Sequence, residues 1–159
     1  MFKNIIRLFL LTSLILTSLS ACAAANKKVV LNQTDIHTDY AGVYITIVAA
    51  EDTDDGKILN AVWHNETLKS VTFDNRYTIE YNNGGVWESV LKKDFAVTEI
   101  AHVINSQSVY EKSYSTEFFK LSRDGEYRLK VDFYVTESEN KVISGESYAI
   151  FTVSSLDEK

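Results

Sequence analysis

Polar and apolar residues alternate without a break after the turn Arg123-Asp124-Gly125. Tyr127, Leu129, Val131, Phe133 and Val135 point one way, and Arg128, Lys130, Asp132, Tyr134 and Thr136 point the other. Period two sustained over this length predicts a strand with one dry and one wet face. Shorter runs of the same kind predict strands over 43–48, over 58–64 with Leu59, Ala61 and Trp63 on one face, and over 76–81 with Tyr77, Ile79 and Tyr81 on one face. Further strands are expected over 86–91, 109–119 and 148–153, the last with Ala149, Phe151 and Val153 facing in. Asn82-Asn83-Gly84-Gly85 is a hairpin signal. Residues 95–104 are β-branched and small and read as a strand with a bend, or a helical turn at its start. Residues 140–144 read as a loop with a short strand at Val142-Ile143. No stretch beyond the N-terminal segment keeps a 3.6-residue period. The expected class is all-β, an antiparallel two-sheet sandwich of seven to nine strands.

The N-terminus changes how much of the 159 residues belongs to that fold. Lys3 and Arg7 precede an apolar run, 8–19, interrupted by Thr12, Ser13, Thr17 and Ser18. This is a secretory signal layout, too short and too polar for a convincing membrane span. It ends in Leu19-Ser20-Ala21-Cys22, which resembles the lipobox of bacterial lipoproteins. The resemblance implies cleavage before Cys22 and lipidation of its thiol. The alternative is an ordinary signal-peptidase site at Ala21 that leaves a free thiol. Cys22 is the only cysteine, so the fold has no internal disulfide, and lipidation would remove an exposed reactive group. The expected organisation is a signal peptide over 1–21, a lipidated Cys22 with a flexible tether over 22–39, and one domain over 40–159. Val29-Val30-Leu31 is a possible edge strand within that tether.

Removing residues 1–21 takes away Lys3 and Arg7 and no acid, which moves the formal net charge from −6 to −8. That balance argues against nucleic acid and against an electrostatic hold on an anionic bilayer, leaving the lipid as the membrane contact. The expected location is the extracytoplasmic side of a bacterial membrane. The remaining 138 residues suit one domain with a sizeable core.

From Ile58 onward the order of features is similar to a family of bacterial immunoglobulin-like domains found in exported lipoproteins. The resemblance rests on Asn65-Glu66-Thr67 after a strand, the stretch Phe73-Asp74-Asn75-Arg76-Tyr77-Thr78-Ile79-Glu80, then Gly84-Gly85-Val86-Trp87-Glu88, and finally Leu121, Gly125, Tyr127, Arg128 and Leu129. It implies an immunoglobulin-like sandwich and no established catalysis. In such sandwiches a Tyr two residues after the Gly of a turn pins the preceding loop, the role expected of Tyr127. The chain departs from the family at Asn105-Ser106-Gln107, where a Pro-Gly turn is usual.

Candidate chemistry adds little to this picture. Asp52, Asp54 and Asp55 before Gly56 raise the question of calcium. An EF-hand frame would place Thr53 and Val62 at ligand positions three and twelve, so a charged turn is the simpler reading. His37, His64 and His102 share no ligand spacing, and no Gly-x-Ser-x-Gly elbow places a nucleophile. No catalytic residue, metal site or cofactor is expected, and Glu137 and Glu139 read as solvated. Tyr44, Tyr110, Tyr114, Tyr134 and Tyr148 form a conceivable sugar or peptide face. Trp63 and Trp87 read as core, and Tyr134 as exposed beside Arg128 and Lys130. The expectation is a non-enzymatic, lipid-anchored interaction module. The alternative is a protease inhibitor that presents the loop Asn82-Asn83-Gly84-Gly85.

Overall fold

In a computed structural model, residues 27–92, 95–139 and 141–155 are described, the side chains of 32–35 excepted. They form ten strands: β1 (Lys27–Thr38), β2 (Val43–Thr53), β3 (Gly56–Asn65), β4 (Val71–Phe73), β5 (Thr78–Asn83), β6 (Val86–Ser89), β7 (His102–Ile104), β8 (Ser108–Ser115), β9 (Gly125–Ser138) and β10 (Lys141–Ser155). A seven-stranded sheet carries β1-β10-β9-β4-β7, with β5 and β6 branching from β9, and a three-stranded sheet carries β2-β3-β8. Every pairing is antiparallel. The all-β two-sheet sandwich expected from the alternation is what forms.

β9 is the axis of the large sheet. One edge pairs with β10 along nearly its whole length, and the other is shared by β5 at Thr78↔Lys130 and β4 at Phe73↔Phe133. The dry face read from the sequence is buried as expected, with Tyr127, Leu129, Val131, Phe133 and Val135 all inside. They meet Ile45, Leu59, Ala61 and Trp63 of the small sheet in one core. Trp63 stacks on Phe73 at 4.7 Å between ring centroids, and its indole N–H donates to the Tyr114 hydroxyl at 2.9 Å. Burial pushes the Tyr114 phenol well above its ordinary range.

Four expectations need correction. First, residues 27–38, expected as tether, form β1 on the edge of the large sheet. A register shift between Leu31 and Ile36 breaks the period-two pattern, which hid the strand. Second, where a loop with a short strand was expected over 140–144, the described residues from Lys141 on are part of β10, paired through Val142↔Thr136 and Gly145↔Phe133. Third, only His102–Ile104 of the 95–104 segment is strand. The described residues before it lie outside any ladder, where β4 and β7 already use each other's edges. Fourth, Trp87 is not core. It is half-buried, with the Arg128 guanidinium over its ring at 4.6 Å.

Two buried polar side chains tie neighbouring elements together. Asn65 is buried and uses both ends of its amide. Its Nδ2 donates to the carbonyls of Lys69 and Asn105 at 2.7 and 2.8 Å, and its Oδ1 accepts from the Thr67 N–H and hydroxyl. Ser147 is buried between the sheets. Its hydroxyl donates to the His37 carbonyl at 3.2 Å and accepts from the Ile45 N–H at 3.1 Å, joining β10, β1 and β2. At the departure Asn105-Ser106-Gln107 the turn closes with Gln107 at φ 53°, and its N–H donates to the Thr67 carbonyl at 3.0 Å.

Candidate binding face

Because Tyr127 and Leu129 are buried, Arg128, Lys130, Asp132 and Tyr134 stand on the outer surface of the large sheet. The Arg128 guanidinium lies over two rings, 4.6 Å from the Trp87 centroid and 4.6 Å from that of Tyr148. Its Nε donates to Glu80 at 2.5 Å across the β5–β9 ladder. Tyr148 stacks in turn on His37 of β1 at 4.7 Å. The result is a row of planar groups, Trp87–Arg128–Tyr148–His37, contributed by β6, β9, β10 and β1. Planar cations over aromatic faces are held by the ring quadrupole and by shared burial, so this surface is preorganised.

Toward the far end of β9 the face opens into a groove of about 410 Å³. It lies where β9 passes from pairing with β5 to pairing with β4, so the chain between those strands leaves the ladder. Tyr77, Phe95 and Val97 line it together with Arg76, Lys130, Asp132 and Tyr134. Tyr134 is 40% exposed. Lys130 is bound to Glu146 at 2.8 Å, and that hydrogen bond raises the lysine's pKa. Burial works against the Asp74 carboxylate, but hydrogen bonds from the Arg76 backbone and side chain hold its pKa below the usual range. Each cation at the groove thus has an acid beside it. The arrangement suits a partner that offers both apolar surface and hydrogen-bonding groups more than one selected by charge.

The other residues singled out in the sequence do not converge. The five tyrosines are scattered. Tyr114 is buried and Tyr44 stacks on His64 on the small sheet. Tyr110 bonds His102, and only Tyr134 and Tyr148 share the outer face of the large sheet. His64 is on the wet side of β3 as expected, and burial lowers its pKa, opposed by Glu66. His102 is half-buried at the start of β7, its Nδ1 2.9 Å from the Tyr110 hydroxyl and its Nε2 2.8 Å from Asn75 Oδ1. Lys112 also donates to that Asn75 oxygen at 2.7 Å. Burial, then the Lys112 charge, lowers the His102 pKa, opposed by Asp74. This group is satisfied from within and ties β7 and β8 together.

The acidic turn after β2 is used locally. Asp52 pairs with Lys57, and Glu51 accepts from Asn60 at 2.6 Å. Among the described residues no group of three or more His, Cys, Asp or Glu side chains is placed to hold a metal. Glu137 pairs with Lys141 at 2.5 Å, while Glu139 is exposed. Gly84 and Gly85, at φ 64° and 95°, form a two-residue left-handed turn, and Asn82 Oδ1 accepts from the Gly85 N–H. Such a tip presents no extended run of side chains to a protease cleft. Cys22 lies outside the described residues.

The Tyr127 corner forms as expected: its hydroxyl donates to the Arg123 carbonyl at 2.9 Å and accepts from the Arg123 N–H at 3.2 Å. Two antiparallel sheets over one core, with this corner leading into the central strand, define an immunoglobulin-like sandwich. The chain belongs to the bacterial Ig-like domain family, whose family model matches residues 39–147. No curated protein and no solved structure matches it. Ig-like domain families are generally non-enzymatic, and the chain is read as a non-catalytic module. The aromatic–guanidinium row was missed in the sequence. Its one available signal was the period-two placement of Arg128 on the wet face of β9.

Proposed function

We propose that this protein is a lipid-anchored, extracytoplasmic Ig-like module that binds a protein or envelope polymer through the outer face of its large sheet. The observation that carries the binding reading is the rigid Trp87–Arg128–Tyr148–His37 row leading to the groove beside Tyr134. A preorganised surface loses little conformational entropy on association, and exposed tyrosine at a groove is a common source of binding energy. The anchor reading rests on Leu19-Ser20-Ala21-Cys22 ahead of the sandwich. Several acyl chains hold a protein at a bilayer at about 0.8 kcal/mol per buried CH₂.

Two measurements on the full-length protein in cells test the two halves separately. Cys22→Ala is expected to move the protein from the membrane fraction to the soluble one, and sedimentation of the variant with membranes would overturn the anchor. A photo-crosslinking residue in place of Tyr134 is expected to trap a discrete partner, whereas the same residue at Glu111, exposed on β8, is not. Equal trapping at both positions, or none at 134, overturns the choice of face.

A further inference from the structure

The strand registers place four features at one end of the sandwich. β1 begins there, with Lys27 opposite Ser155 at the close of β10, and β9 begins there, with Gly125 opposite Val153. The β5–β6 hairpin reaches the same end, since Tyr81 pairs with Tyr127 and the chain turns at Gly84-Gly85 just beyond. The start of β1 is tied down: Lys27 Nζ donates to Asp124 at 2.5 Å and to Ser155 at 2.8 Å. At the opposite end are the loops 66–70 and 105–107, locked to each other through Asn65 and Gln107.

Only residues 23–26 separate Cys22 from the secured start of β1. The sequence had suggested a spacer four times as long. Five residue steps span at most about 18 Å when fully extended. The 14 residues of β9 run about 45 Å at roughly 3.3 Å per residue. A lipid at Cys22 therefore holds one end of the sandwich close to the bilayer and leaves the other end beyond its reach. The near end also suits a headgroup surface. Val86 is 63% exposed beside the two glycines, and the Arg123 guanidinium lies over the Tyr81 ring at 4.4 Å. An exposed valine and an exposed arginine over a half-buried tyrosine ring together favour the interfacial layer.

We propose that the sandwich stands end-on at the membrane, with the Gly84-Gly85 hairpin and the Arg123-Asp124 turn against the lipid headgroups. The loops 66–70 and 105–107 then point away, and the outer face of the large sheet is left open to the side. The inference rests on lipidation of Cys22 as proposed above and adds the orientation that follows from it.

Single cysteines for a fluorophore test it in the full-length acylated protein, reconstituted in vesicles of phosphatidylethanolamine and phosphatidylglycerol with a headgroup quencher. The label at Val86→Cys is expected to be quenched several-fold more than the label at Ser106→Cys. Equal quenching would mean a molecule lying flat, and stronger quenching at 106 an inverted one; either overturns the proposal. Inserting about twenty Gly and Ser residues between Asn26 and Lys27 should erase the difference while the protein still sediments with the vesicles. If the difference survives the insertion, the short tether is not its cause and the proposal fails. If the uninserted chain does not sediment, it is the lipid anchor that fails, a result distinct from wrong orientation.

Discussion

At the residue scale, the Tyr127 hydroxyl shows how one side chain fixes a turn. It meets both the N–H and the carbonyl of Arg123, so the loop closes before β9 begins. Burial raises the phenol's pKa, so it keeps its proton across the neutral range. Tyr127→Phe keeps the ring against Phe151 and removes both hydrogen bonds. The expected loss is about 1 to 2 kcal/mol in chemical denaturation, because a part-buried backbone pair is left without its partner. Membrane attachment should not change. Gly–x–Tyr after a turn was enough to foresee this corner. Asn65 was legible only as a turn residue, because its contacts come from Lys69 and Asn105, and the latter is forty positions away in sequence. Trp87 was misplaced for a related reason: β6 is short and shows no alternation to say which face its ring takes.

At the element scale, strands were legible where large apolar residues marked every inward position, as on β3 and β9. β10 was only half legible. Its inward positions nearest the hairpin include Gly145 and Ser147, which fall between the loop expected over 140–144 and the strand expected over 148–153. Each is small or polar because a partner element takes the space. Ser147 bridges the sheets, and the Phe133 ring lies over Gly145, where an added Cβ would sit 2.6 Å from Cζ. Gly145→Ala must push that ring off its place in the core, an overpacking that costs about 1 to 3 kcal/mol. The expected result is a lower melting temperature with unchanged strand content by circular dichroism. A variant as stable as the parent would show that Phe133 can swing aside freely. The same logic accounts for β1, whose bulge moves its inward positions out of phase between Leu31 and Ile36.

At the scale of the whole molecule, two histidines are easier to keep neutral than charged, His64 on the outer side of the small sheet and His102 where β7 of the large sheet meets β8 of the small one. His64 stands against Tyr44, Thr46 and Glu66, and His102 against Phe73, Asn75, Tyr110 and Lys112 with Asp74 nearby. Burial is the leading cause of the lowered pKa of each, below the ordinary 6.5. A group that protonates less readily in the folded chain than in the unfolded one stabilises the fold above its unfolded pKa. That contribution is lost as pH falls through about 6.5 toward the lower folded value. Carboxylates behave differently: Asp74, Asp124 and Glu137 have folded pKa values below their ordinary ones, so their contribution persists until more acidic pH and is lost only there. Acid loss of stability should therefore come in two stages, a first as pH falls below about 6.5 and a second below about pH 4. Melting temperatures measured across that range should show the first stage, and it should shrink in His64→Gln and again in His102→Gln. A melting temperature that stays level from pH 7.5 to 5.5 would mean that the Glu66 and Asp74 charges offset the burial of the two imidazoles completely.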